Sequence, residues 1–218
     1  MKGLFVKDLK LLKNQKSFIL IFAAVIIIYL FTDITAMAAI GYATFVGTMF
    51  VMSTISYDEY DNGNAFLFTL PFSRKSYVVE KYLFALVTGG VSWLVSTVLS
   101  AICDAARDLT AVTSDYIFAS LLIAAAFFII ISIILPVQLK FGGNRGTIAM
   151  LLSVCIASLV AYIAVRGLKF FDIDIHSMLN ALQAVSLLAF SLVSLAISAV
   201  CFMISMQIGI KIVEKKEF

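Results

Sequence analysis

Six stretches, at 16–33, 36–56, 82–102, 116–138, 147–165 and 181–210, are each apolar over a length close to that needed to cross a bilayer. About 20 apolar residues suffice for a helical span. Backbone groups in lipid must be satisfied within the segment itself, so each stretch reads as an α-helix. Of the 218 residues, 62% are hydrophobic and only 13% charged. Soluble domains are roughly half apolar and about a quarter charged, so the chain is an all-α integral membrane protein with no room for a separate soluble catalytic domain. Thr32 to Thr35 leaves only a tight turn between the first two spans, and Asp33 closes the first. The last window is long enough to tilt or to run on into water.

Lysine and arginine set the orientation. Lys2, Lys7, Lys10, Lys13 and Lys16 precede span one. Arg74, Lys75 and Lys81 lie between spans two and three, Lys140 and Arg145 between four and five, and Lys211, Lys215 and Lys216 follow span six. Only Arg107, Arg166 and Lys169 fall on the other side, so both termini are expected in the cytoplasm. A basic stretch before an apolar run also has the form of a signal peptide, and Ala36-Met37-Ala38 resembles its cleavage site. Residues 1–15 read better as an interfacial helix, with Leu4, Phe5, Leu9, Leu11 and Leu12 on an apolar face and lysines toward the headgroups.

The polar stretch from Tyr57 to Tyr82 has a different character. It gathers Asp58, Glu59, Asp61, Arg74, Lys75, Glu80 and Lys81 on one side of the membrane and is broken at Pro71. Asp58 and Glu59 suit a helix N-terminus, and Phe66, Leu67, Phe68 and Leu70 supply an apolar face over 58–70. Pro71 ends that unit, and Ser73 can cap the helix into span three. Apolar side chains in a short aqueous loop need a covering surface, which favours a partner contact over a solvated connection. Pro136 would kink span four, and Gly142, Gly143 and Gly146 permit a tight turn into span five, with Lys140 and Arg145 at headgroup level.

Other residues favour plain readings. Cys103, Cys155 and Cys201 are odd in number and scattered, so they read as small buried hydrophobes. His176 is the single histidine, in an outer loop near Asp172 and Asp174. It reads as solvated, and no metal site is expected. Asp104, Asp108 and Asp115, also outside, suit loop ends and caps as well as they suit attraction of a cationic substrate. Ala39, Ala43 and Gly47, then Ser153, Ala157 and Ala161, then Ser194 and Ser198 repeat small residues every four positions. That spacing permits close helix approach, either within one subunit or at a homodimer seam. No charge falls near the middle of a span, where ion-coupled carriers place one at about 2.5–3.5 kcal/mol each. There is no GxxxxGK[ST], HExxH or GxSxG, so no catalytic residue is assigned.

Two motifs carry a resemblance. The first runs Asp58-Glu59-Tyr60-Asp61-Asn62-Gly63, then Leu70-Pro71-Phe72-Ser73-Arg74-Lys75, then Glu80-Lys81-Tyr82-Leu83. The second is Leu135-Pro136-Val137-Gln138-Leu139-Lys140-Phe141-Gly142. In order and spacing the chain resembles ABC-2 type transporter permeases along its whole length. It is most similar to the compact six-helix permeases of bacterial toxin and antimicrobial-peptide exporters, such as those of phenol-soluble modulins. The resemblance implies one domain over 1–218, with an interfacial N-terminal helix and a cytoplasmic coupling loop over 57–81. It implies ATPase coupling through Asp58, Glu59, Asp61, Asn62, Gly63, Phe66, Leu67, Pro71, Ser73, Arg74 and Lys75. A second cytoplasmic loop would use Pro136, Lys140, Phe141, Gly142 and Arg145.

The implied partners are two ABC ATPase subunits, a second permease copy, the lipid bilayer and a peptide or hydrophobic substrate, with no nucleic acid. ATP and Mg would sit on the ATPase, leaving this chain without a cofactor. The expected function is alternating-access export of amphipathic peptide from the bacterial plasma membrane. Small drugs, lipids or sodium are alternative cargoes. A non-transporting scaffold or sensor, or an ATP-independent carrier, are the alternative functions.

Overall fold

The computed structural model describes residues 2–14, 20, 24, 28, 36–60, 63–106, 114–170 and 187–216, with positions 2, 64, 65, 106, 143–170 and 187 described by backbone alone. All regular structure among them is helical. The elements are α1 (Lys2–Asn14), α2 (Ala36–Glu59), α3 (Gly63–Leu67), α4 (Arg74–Ala106), α5 (Ser114–Phe170) and α6 (Leu187–Glu214). Four described helical stretches are long and apolar enough to cross a membrane: Ala36–Glu59, Arg74–Ala105, Ser114–Gly142 and Leu188–Glu214. The expected span at 16–33 lies almost wholly outside the described residues, as do Asp61, Asn62, Arg107, Asp108, Asp172, Asp174 and His176.

Helix α5 covers 57 residues, which at 1.5 Å per residue would make a straight rod of about 85 Å, against a hydrocarbon core of about 30 Å. The rod is broken at Gly142, whose φ of 78° and ψ of 178° leave helical space. Glycine alone adopts such a φ without a Cβ penalty. The break narrows one detail of the sequence reading: positions 143 and 146 are helical, so Gly142 makes the turn by itself, with Pro136 inside the helix before it.

Helix α2 is the central element. It packs along α4 and α5, while α6 closes the group against α5 and α4. Its small-residue face accounts for the closeness. Ala39, Ala43 and Gly47 are all buried inside the subunit. A Cβ at Gly47 would collide with the Ser92 side chain, and one at Gly89 would lie 2.6 Å from Thr48 Cγ2. This stripe therefore serves packing within one chain. The side chains of Ser153, Ala157 and Ala161 lie outside the described residues.

Bulky core residues concentrate toward one end, where Phe50, Ile55, Tyr77, Val78, Tyr82, Phe84, Leu135, Leu139, Ile210 and Val213 form one cluster. Phe5 of α1 meets Phe84 edge-on at 5.6 Å, and Phe202 of α6 meets Tyr82 at 5.1 Å. Ser205 of α6 donates to the Ser132 carbonyl, which leaves its oxygen to accept from the Tyr82 hydroxyl at 2.6 Å. Three helices are joined by that one chain of hydroxyls. Leu83, Leu86, Val87, Val91, Leu94, Val98 and Ile102 point out from α4 instead, a face suited to lipid.

Gly47→Ala should lower the Tm of the detergent-solubilised protein, at a cost of about 1–3 kcal/mol for overpacking. Gly90→Ala, where a Cβ would meet nothing within 4 Å, should leave Tm unchanged or raise it. Equal behaviour of the two in a thermal-unfolding assay would contradict the close α2–α4 contact.

Candidate functional site

Every described polar side chain singled out between Asp58 and Lys81 gathers at the end of the bundle where α1, α3, the start of α4 and the close of α6 meet. Two ionic groups organise this end.

The first surrounds Lys81. Its side chain is fully buried, and its ammonium reaches Asp8 Oδ2 at 2.5 Å and Asp58 Oδ2 at 2.7 Å. It also donates to Thr54 Oγ1 at 3.2 Å and lies 5.3 Å from the Tyr77 ring centroid. Lys7 bridges the same two carboxylates from α1, bonding Asp58 Oδ1 and standing 3.3 Å from Asp8 Oδ1. The Tyr77 hydroxyl donates to Asp58 Oδ2 at 3.2 Å. Three helices, α1, α2 and α4, are thereby tied through charge. Burial works against the Lys7 ammonium, but Asp58 and Asp8 outweigh it and hold its pKa above the ordinary lysine value. The stability that this pairing contributes is complete at neutral pH and is lost only as pH rises through that elevated value.

Glu80 adds a third carboxylate. It is 2% exposed, and neither oxygen has a hydrogen-bond partner among the described residues. It acts electrostatically on Lys81, Asp8, Lys7 and Asp58. Asp8, Asp58 and Glu80 thus outnumber Lys7 and Lys81, and the group carries one surplus negative charge when all are ionised.

The second group lies at the entrance and exit of the 60–73 connection. Glu59 Oε1 pairs with Lys216 Nζ at 3.2 Å, and Lys216 also donates to the Leu139 carbonyl at 3.3 Å. The Glu59 carboxylate packs directly on Gly142, where a Cβ would lie 2.7 Å from Oε2. Across the connection, Arg74 Nη1 donates to the carbonyls of Glu214 at 3.0 Å and Lys216 at 2.8 Å, with that of Val213 at 3.4 Å. The Val213 carbonyl also accepts from the Lys216 amide at 3.3 Å, and a guanidinium there complements the negative dipole end of α6.

The connection itself departs from the sequence expectation. Asp58 and Glu59 close α2 rather than opening a helix over 58–70. Hydropathy drops after Ile55, yet buried pairing lets the helix continue. The short helix is confined to Gly63–Leu67. Thr69 and Leu70 amides bond back to the Phe66 and Leu67 carbonyls at 3.1 and 3.2 Å and finish it. Its apolar residues divide: Leu67 is buried, Phe68 stacks edge-on against Tyr77 at 5.5 Å, and Phe66 stands 72% exposed. Leu70, Tyr57 and Tyr60 are exposed with it. Ser73 accepts from the Ser76 amide at 3.1 Å as the N-cap of α4. Residues 74–81 are therefore the first turns of the long helix that Ser73 caps.

Of the remaining expected positions, Pro71 and Lys75 are exposed, and Pro136 is half-buried. Lys140 and Phe141 are exposed beside each other, with Nζ 5.2 Å from the ring centroid. The Arg145 side chain lies outside the described residues. Sequence reasoning placed Lys7 toward the headgroups, counted Leu9 on the apolar face and passed over Asp8. Leu9 is exposed, whereas Asp8 is fully buried and Lys7 turns inward. A signal existed, since Asp8 falls four residues after Leu4 and four before Leu12, on the stripe that must be buried.

Among the described residues no group of acids, cysteines or histidines has metal-binding geometry. A family model described as ABC-2 family transporter protein matches residues 3–214, and the chain belongs to that family. No curated protein and no solved structure matches it. The protein is thus a membrane component of the ABC-2 transporter family.

Replacing Lys81 with Met would leave three buried carboxylates facing Lys7, and should cost about 3–5 kcal/mol. Glu80→Gln removes the surplus charge and should hold or raise the Tm in detergent. If Glu80→Gln proved as damaging as Lys81→Met, the charge-balance account would be wrong.

Proposed function

We propose that the chain is the permease subunit of an ATP-driven exporter, coupled to separate ABC ATPase subunits through the 57–73 connection. Membership of the ABC-2 family implies association with an ABC ATPase. The observation that carries the site assignment is the contrast within α3 and its flanks. Tyr57, Tyr60, Phe66 and Leu70 are exposed, yet they stand on a base fixed by the buried pairing of Asp58 with Lys7 and Lys81. An apolar knuckle on a rigid mount suits a partner that must push. In this reading the polar end faces the cytoplasm with both termini, as the lysine distribution favours.

Two ATPase subunits, holding ATP and Mg, would act on a pair of permease copies in the bacterial plasma membrane. Closure of the ATPases on ATP would move α3, and the buried charges would hand that motion to α1, α2 and α4. The cargo proposed is an amphipathic peptide, a toxin or antimicrobial, or another hydrophobic molecule. A drug, a lipid or sodium would use the same drive. The absence of described charges at mid-span favours cargo that needs no buried counter-ion.

The test is capture of an ATPase from the native host by the tagged, gently solubilised chain, compared with Phe66→Glu. Phe66 lies mostly in solvent, so this variant should fold and melt as the wild type does while losing the ATPase. Failure of the wild type to bring down any ATPase would remove the exporter reading and favour a scaffold, a sensor or an ATP-independent carrier. Equal capture by both forms would move the contact away from α3.

A further inference from the structure

The 60–73 connection leaves the bundle at Glu59 and returns at Arg74, and both residues are held by one short stretch of chain. Lys216 grips Glu59 at 3.2 Å, and Arg74 grips the carbonyls of residues 213, 214 and 216 at 2.8–3.4 Å. Lys216 also donates to the carbonyl of Leu139, three residues before the break at Gly142. The 213–216 stretch thus touches the end of α2, the start of α4 and the turn of α5 together.

We infer that residues 213–216 form a clamp that sets the distance and angle between the two ends of the ATPase-facing connection, with Lys216 and Arg74 as its positioning residues. The inference rests on the permease reading and adds a part to it. A short helix such as α3, Gly63–Leu67, has too few internal bonds to hold its own orientation. Its aim is therefore decided by where its flanks are anchored. Asp58 anchors one flank to the Lys81 group. Without the clamp, Glu59 and Arg74 would not be referred to a common point, and the exposed Phe66 face would sample several directions.

The clamp also has a geometric link to α5. Glu59 rests against Gly142, and Lys216 joins Glu59 to the Leu139 carbonyl. A displacement of the connection is therefore felt at the α5 break as well as at α6. Lys216 acts through Glu59 and backbone carbonyls and needs no contact of its own with the ATPase. Its charge is the working part, so a neutral side chain of similar length removes the function while keeping the bulk.

The test uses the full chain in lipid nanodiscs and the ATPase subunit recovered with the wild type. Lys216→Gln should weaken ATPase binding about tenfold, equivalent to about 1.4 kcal/mol, with Tm shifted little. Lys215→Gln, at a neighbouring exposed lysine, should bind as the wild type does. The exchanged pair Glu59→Lys with Lys216→Glu should recover most of the lost affinity, whereas Glu59→Lys alone should not. A merely structural role would lower Tm and leave the Kd of the folded fraction unchanged, and that result would overturn the clamp. So would unaltered binding by Lys216→Gln while the wild type holds its ATPase. If the wild type recovered no ATPase at all, the permease reading itself would fall and the clamp with it.

Discussion

A lysine ammonium with no access to water is the constraint around which the polar end of this protein is arranged. Lys81 cannot be buried unless Asp8 and Asp58 come to it, and they arrive from two different helices. Their convergence fixes the depth and rotation of α1 against α2 and α4 more sharply than apolar packing could, because a charge displaced by a few ångströms loses both its partner and its hydrogen bonds. Phe5 against Phe84 then fills the space that the ion group defines. In hydrocarbon, where apolar contact gives little preference for one helix neighbour over another, a directional lock of this kind has particular value.

The lock bears on how a membrane chain of this family can hold its helix ends in place. Helix ends supply much of the polar structure described here. Continuing α2 to Glu59 and starting α4 at Arg74 raises helical stumps beyond the apolar windows. The stumps expose Tyr57 and Lys75 and are charge-paired inside. The short α3 between them presents Phe66 on a mount that cannot tilt without disturbing Asp58.

The apolar windows at 36–56, 82–102 and 116–138 correspond to described helices because the requirement for about 20 apolar residues leaves few other choices. What hydropathy could not disclose was where the helices stop. Asp58 and Glu59 suit the start of a new helix by composition, yet they close α2, and long-range pairing compensates the burial of Asp58. Asp8 was legible in principle as an acid on an apolar stripe. Its partner Lys81, 73 residues away, was not, since no local periodicity encodes so distant a contact. Ser73 was legible as a cap because capping is local chemistry. The gripping of α6 by Arg74 was invisible, because the sequence does not say which helix end a guanidinium will meet. Gly142 was one of three candidate glycines, and only the backbone angles single it out.

The serines buried away from the ion groups have a mechanical corollary. Ser96, Ser120, Ser191 and Ser198 donate to carbonyls three residues earlier in their own helices. Their polarity is therefore discharged before any neighbouring helix is involved. In that half the Trp93 indole donates across to the Ser120 carbonyl at 2.9 Å. The opposite half is cross-linked by Lys81, Tyr82, Arg74 and Lys216. Among the described residues, side-chain bonds between helices therefore gather at the end that carries α3, so a sliding of one helix past another meets the most directional bonds there.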